Sequence, residues 1–182
     1  MNATLGFRSK TGRAIAVALA GNRKSPRFVL RREIALYDPK VPASGQPYHE
    51  VMELPWNKAT VAVRKFVKVI ERVAAESFAE VADELRAQGF EVKAVGVAGS
   101  PDSDLERIGN FHIRAHAAEG ITFRQVLEHA AAKYSIECRT FSDRTIAALA
   151  PADVMKALGR AAGRPWRADE RAAATAAWMM LR

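Results

Sequence analysis

His112 and His116 stand at i and i+4, a spacing that puts both side chains on one face of a helix, and Glu119 follows at i+3 from His116. Two imidazoles and a carboxylate so placed are able to hold a transition metal jointly. The competing reading is a polar helix edge. The full zinc-protease motif is missing, because Ile113 follows His112 where that motif needs a glutamate. His49 and His129 have no partner recognisable by spacing.

Among the carboxylates, Asp169 has the most telling surroundings. It opens a helical pattern in which Ala172, Ala173 and Ala176 fall on its own face. Small residues there let a helix lie close to a sheet and aim the acid at it. A first-turn acid favoured by the helix dipole is the plainer account. Glu33 shares a strand face with Val29, Arg31 and Ala35 and reaches toward the first strand if the early strands pair as a meander. Otherwise it is a cross-strand partner for an arginine. Asp102 and Asp104 follow a strand end, but Ser103-Asp104-Leu105-Glu106 also matches a capping box.

The remaining chemistry is cationic. Residues 1–40 carry nine Lys/Arg against two acids, 41–138 eleven against fourteen, and 139–182 eight against four. Both ends are basic, and the formal net charge is +8. Arg8, Lys10, Arg13, Arg31 and Arg32, with Arg164 and Arg167 around Trp166, would supply phosphate contacts to DNA or RNA. A solvated, solubilising surface is the alternative. No phosphate-cradling glycine loop and no nucleophile elbow is present. The one cysteine, Cys138, lies in an apolar strand and is expected to be inert.

The elements that must position these groups follow from periodicity. Leu5 and Phe7 alternate with polar neighbours. Ala14–Ala20 is apolar on both faces, as in a central strand. Phe28, Leu30, Ile34 and Leu36 are expected to share a face of a third strand. Residues 39–47, with three prolines and a glycine, form a loop. Helical spacing then runs from Val63 to Leu85, with Gly89 as a stop. A strand covers Glu91–Ala98. A helix covers Phe111–Tyr134, with Ile113, Ala117, Gly120, Leu127, Ala130 and Tyr134 as its stripe. A short strand, Ile136–Phe141, precedes a helix after Pro151 and a last one over Asp169–Leu181. Tight turns join the first three strands and helices join the later ones, so the meander is antiparallel and the rest can run parallel. The expected fold class is α/β, a five-stranded mixed sheet flanked by helices, with 1–182 as one domain.

Length and composition agree. A chain of 182 residues with 49% hydrophobic and 26% charged residues buries roughly 70% of its unfolded surface without staples. No run of about 18 apolar residues exists, so no membrane span is expected. The apolar run Ala14–Ala20 follows basic residues as a secretion signal would. Gly21-Asn22-Arg23-Lys24 breaks it at once, and the chain reads as cytoplasmic.

Three stretches carry a family resemblance. Gly6-Phe7-Arg8-Ser9-Lys10-Thr11-Gly12 resembles the first-strand motif of the RuvC-type Holliday-junction resolvase branch of the ribonuclease H-like superfamily. Val95-Gly96-Val97-Ala98 takes the place of that fold's fourth strand, and Ala168-Asp169-Glu170-Arg171-Ala172-Ala173-Ala174 resembles its last-helix motif. Topology extends the likeness over most of the chain. It implies phosphodiester hydrolysis with two divalent metals, Mg²⁺ or Mn²⁺, held by carboxylates, and a homodimer.

The departures decide what to expect. Arg8 stands where the family carries its first aspartate, and a guanidinium repels a metal cation. Gly96 and its neighbours stand where the family carries a glutamate, and no acid lies between Glu91 and Asp102. Asp169 alone matches, and Arg8 is expected to pair with it in place of metal. The resulting expectation is a ribonuclease H-like domain with a degraded centre, serving as a nucleic-acid-binding or protein-interaction module. The alternative is a junction-resolvase-like, metal-dependent nuclease combining Asp169 with Glu33, Glu119 or the histidines.

Overall fold

A computed structural model describes residues 1–182. The chain forms β1 (Asn2–Lys10), β2 (Arg13–Asn22), β3 (Ser25–Ala35), α1 (Trp56–Ala62), α2 (Arg64–Ala87), β4 (Glu91–Gly99), α3 (Phe111–Lys133), β5 (Glu137–Ser142), α4 (Ala152–Ala162) and α5 (Ala168–Met180). The strands make one sheet in the order β3-β2-β1-β4-β5. β1, β2 and β3 pair antiparallel, while β4 runs parallel to both β1 and β5. This is the expected five-stranded mixed sheet. No helix is long and apolar enough to cross a membrane.

Strand alternation divides the core into two. Leu5, Phe7, Val95 and Val97 join Ala14, Ala16 and Ala18 against Ile70, Phe78 and Leu85 of α2 and Phe123 and Leu127 of α3. Ile15, Val17 and Leu19 point the other way, onto Met155 and Leu158 of α4 and Ala173, Ala174 and Ala177 of α5. β2 is buried on both faces, as its unbroken apolar sequence requires. The third strand departs from simple alternation. Its pairing shifts between Ala18 and Leu19, so that Ala18 faces Leu30 while Leu19 faces Phe28. This bulge turns Phe28 onto the α4/α5 side, whereas Leu30 and Ile34 stay on the α2/α3 side.

Two further expectations are corrected. The Ser103 capping box does not form. Leu105–Arg107 is a 3₁₀ turn with no side-chain cap, and Asp102 instead pairs with Arg124. The helix that follows is capped by Asn110, whose side chain accepts from the Ile113 N–H at 3.0 Å. The stripe read for α3 is also displaced. Ile113 and Tyr134 are exposed, and Ala115, Ala118, Phe123 and Val126 are buried. Gly120 touches Ser100 and the Arg124 side chain covers Gly99, so the middle of α3 lies level with the end of β4. The turns before it project past the sheet and lose their cover. α1, which follows Pro55, was not apparent from periodicity.

Candidate functional site

Close packing of α5 on the sheet fixes the site. A Cβ on Gly6 would lie 2.0 Å from the Ala173 carbonyl oxygen, and one on Gly96 would lie 2.4 Å from that of Ala176. Only glycine permits this approach. Thr4 Oγ1 donates to the Ala177 carbonyl at 2.9 Å and locks the register. The alanine face of α5 thus sits directly on β1 and β4, and the start of the helix brings Asp169 over the end of β1.

There Asp169 meets Arg8. Arg8 Nε is 3.6 Å from Asp169 Oδ1, and Arg8 Nη2 is 3.0 Å from Asp143 Oδ2. Lys10 Nζ adds a contact to Asp169 at 3.6 Å. Asp143 just follows β5, on the same alternation as Arg139 and Phe141, and its N–H donates to the Gly99 carbonyl at 3.0 Å. Between β1 and β5 lies Ala98, in register with Arg8 on one side and Phe141 on the other. Its methyl leaves room for the arginine to span β4 and reach Asp143. Two cations and two carboxylates therefore close on one another, each largely sheltered from solvent except Lys10. Strand parity was the available signal for Asp143, which sequence reasoning missed.

This cluster forms one wall of a cavity of about 700 Å³ between the sheet end, α4 and α5. Ile146, Met155 and Ala172 give it an apolar lining, and Trp166 closes a side. Trp166 packs over Gly159, where any Cβ would meet the indole at 2.6 Å. Its Nε1 is buried with no hydrogen-bond partner. Lys156, Arg160 and Arg171 also line the cavity, are exposed, and take part in none of the protein's ion pairs. The cavity thus combines an ion cluster that neutralises itself with a surplus of uncompensated positive charge.

The other cations proposed from sequence divide into two groups. Arg13 pairs with Glu33 at 2.7 Å, and Arg32 pairs with Glu84 at 2.9 Å and Glu80 at 3.3 Å. Arg31 donates to the carbonyls of Gly163 at 3.0 Å, Arg164 at 3.1 Å and Pro165, clamping the α4–α5 connection. Arg164 and Arg167 are exposed and form no ion pair. The Arg167 N–H donates to Glu170 Oε2 at 2.8 Å, which caps α5. Glu33 shares a row with Ile15 and Arg8, but Ile15 separates it from Arg8 and its carboxylate is turned to Arg13.

The histidines fall elsewhere, on α3 and the preceding loop. His112 and His116 Nε2 atoms lie 3.0 Å apart. Glu119 does not join them: it is wholly buried and takes the Nδ1–H of His49 at 2.8 Å. The third group beside the pair is His49, which no spacing in the sequence connects to them.

The residues at the end of β1 do not fit a two-metal centre. A guanidinium lies between the two carboxylates, and Ala98 occupies the β4 position beside it.

No family model matches the chain, and no curated protein matches it. Solved structures do. The chain is similar to T. thermophilus RuvC in complex with Holliday junction substrate, with a TM-score of 0.55 and 13% identity over 98% of this chain and 91% of that one. It is also similar to a second Thermus thermophilus RuvC structure, with a TM-score of 0.50 and 13% identity over 97% and 91%. The likeness establishes the ribonuclease H-like fold.

Proposed function

We propose that this chain is a ribonuclease H-like domain that binds nucleic acid at the cavity between β1, β5, α4 and α5 and does not cleave it. One observation carries the reading: Arg8 bridges Asp143 and Asp169 and Lys10 adds to Asp169, so the one carboxylate that matches the family's motif, Asp169, and its neighbour are already paired with fixed cations. A divalent metal entering there would meet a positive charge at van der Waals distance, a repulsion of several kcal/mol even at an effective dielectric of about 20.

The surrounding charge suits a polyanion. Lys156, Arg160, Arg164, Arg167 and Arg171 are exposed and without acidic partners, so each is available to a phosphate. Trp166 offers an aromatic wall, the kind of face on which an unpaired base stacks. The similar T. thermophilus RuvC is described with Holliday junction substrate, which makes a four-way junction the first ligand to try.

The test is a gel-shift and cleavage assay with labelled four-way-junction and duplex DNA, with and without Mn²⁺. The reading predicts a shifted, intact junction and an affinity that falls steeply with salt. Asp169→Asn is expected to tighten binding about threefold to tenfold, because Lys10 is then freed for phosphate and Arg8 keeps only Asp143. Mn²⁺-dependent cleavage that Asp169→Asn abolishes would instead establish a nuclease built on Asp169 and Asp143. Absence of binding to either DNA at low salt would overturn the proposal in favour of a protein-interaction role.

A further inference from the structure

The geometry points to a Zn²⁺ site formed by His49, His112 and His116, with Glu119 as the positioning residue behind His49. The ligand atoms of the three histidines lie within 4.8 Å of one another. Their rings meet edge to face, with centroids 4.4 to 4.9 Å apart. Three imidazoles on tetrahedral zinc, with Zn–N bonds of about 2.0–2.1 Å, hold their nitrogens about 3.4 Å apart. The His112–His116 separation of 3.0 Å is already close to that.

Glu119 fixes the proton on His49. Its Oε1 accepts the backbone N–H groups of Tyr48 at 3.2 Å and His49 at 3.3 Å as well as the His49 ring at 2.8 Å. An oxygen so used is an acceptor, which places hydrogen on Nδ1 and leaves the Nε2 lone pair free. That Nε2 is buried and has no hydrogen-bond partner. A carboxylate, a histidine and a ligating nitrogen in line is the arrangement that orients a metal-bound imidazole and raises its basicity.

Charge supports the same conclusion. Glu119 is 0% exposed, and no lysine or arginine pairs with it. A buried carboxylate with no cation nearby is costly. A dication on the far side of the His49 ring would supply the missing charge. His112 and His116 are exposed, so the fourth coordination position opens to solvent and would hold water or an added ligand. Bound zinc would tie the segment after the proline-rich loop to the projecting first turns of α3. The site is separate from the Arg8 cluster and does not depend on the proposed nucleic-acid role.

The experiment uses the full chain without a histidine tag, stripped with chelator. Zn²⁺ is titrated calorimetrically, and Co²⁺ is added in parallel for its visible absorption. One Zn²⁺ per chain, a tetrahedral Co²⁺ spectrum and a melting temperature raised by Zn²⁺ are expected. The double variant His112→Ala/His116→Ala alters only exposed side chains, so it should fold as the apo protein does and lose all three signals. Glu119→Gln is expected to weaken Zn²⁺ about 10- to 100-fold and to shift the Co²⁺ bands. No binding by the wild type, or equal binding by the double variant, would overturn the site. An unchanged affinity and spectrum in Glu119→Gln would overturn the role given to Glu119.

Discussion

Arg8 Nε stands 3.6 Å from Asp169 Oδ1, across the junction between the end of β1 and the start of α5. The same guanidinium reaches Asp143 at 3.0 Å, so one cation on the central strand ties the turn after β5 to the first turn of α5. In a two-metal centre, carboxylates at such positions converge on cations delivered from solvent. Here the cation is covalently part of the first strand.

Replacing it should show how far this cation holds the two acids together. Arg8→Ala removes the bridge and leaves two sheltered acids facing each other. The expected loss of stability is about 2 kcal/mol, between the value of an exposed pair, about 1, and that of a fully buried one, about 3 or more. Arg8→Asp puts three carboxylates around one point. It should melt lower still in chelator and recover when Mn²⁺ is added, as read by thermal denaturation with and without metal. A wild-type melting temperature should not respond to Mn²⁺ in this way at the Arg8 cluster. A variant that ignores Mn²⁺ would show that the acids cannot converge on a metal.

The glycines under α5 give a sharper stability prediction. In Gly6→Ala the new methyl would meet backbone atoms, the Ala173 oxygen at 2.0 Å and the Ala177 nitrogen at 2.4 Å. Neither can move without lifting the helix. The expected cost is about 3 kcal/mol or more, or failure to fold. Gly109→Ala is the control, because nothing lies within 4 Å of its added methyl, and its effect should stay within about 0.5 kcal/mol. Urea denaturation of the two variants compares them directly.

How far this was legible in the sequence depends on whether a feature is local. The alanines after Asp169, the double-faced apolar run of β2 and the helix over α2 follow from spacing alone, whereas the pairing of Arg8 with Asp169 follows from the family resemblance, which puts both at one site. Asp143 needed only the alternation of β5 carried one step past its end. Phe28 went to the unexpected face because a single bulge reverses parity, and nothing in the residues announces a bulge. His49 was invisible as a partner: it lies 70 residues from Glu119, in a loop whose path depends on tertiary contacts such as Asp38 to Arg72. Arg31 looked like a free surface cation because backbone carbonyls, its actual partners, leave no trace in side-chain patterns.

Cys138 has a pH consequence. Burial, and then the charge of Glu128, push its thiol up to about 11 from an ordinary 9.0. A thiol whose pKa is raised on folding favours the folded state below its unfolded pKa, and that contribution disappears as pH rises through the folded value. Stability should therefore decline between about pH 9.0 and 11, and Cys138→Ala should remove this part of the slope. At pH 8, alkylation should run about a hundredfold slower in the native than in the urea-unfolded chain, following the thiolate fraction. Equal rates would show that the thiol is accessible and ionised normally.

The arginines offer the most direct discrimination between structure and binding. Arg31 is bound to three consecutive carbonyls and holds the α4–α5 connection against β3. Arg31→Ala should lower the melting temperature. Any junction DNA that the folded variant still binds should show a dependence on salt close to that of the wild type. Arg164 and Arg167 bear no ion pair and stand on either side of Trp166. Substituting either with alanine should leave stability within about 0.5 kcal/mol. It should reduce the slope of log K against log salt by about 0.9, one phosphate contact each. The measurement is a salt series of gel shifts with four-way-junction DNA for the three variants. If Arg31→Ala alone flattens the slope, the clamp arginine is itself a phosphate ligand and releases the connection on binding. If all three slopes equal that of the wild type, nucleic acid approaches another face, and the cavity beside Arg8 must be assigned a different partner.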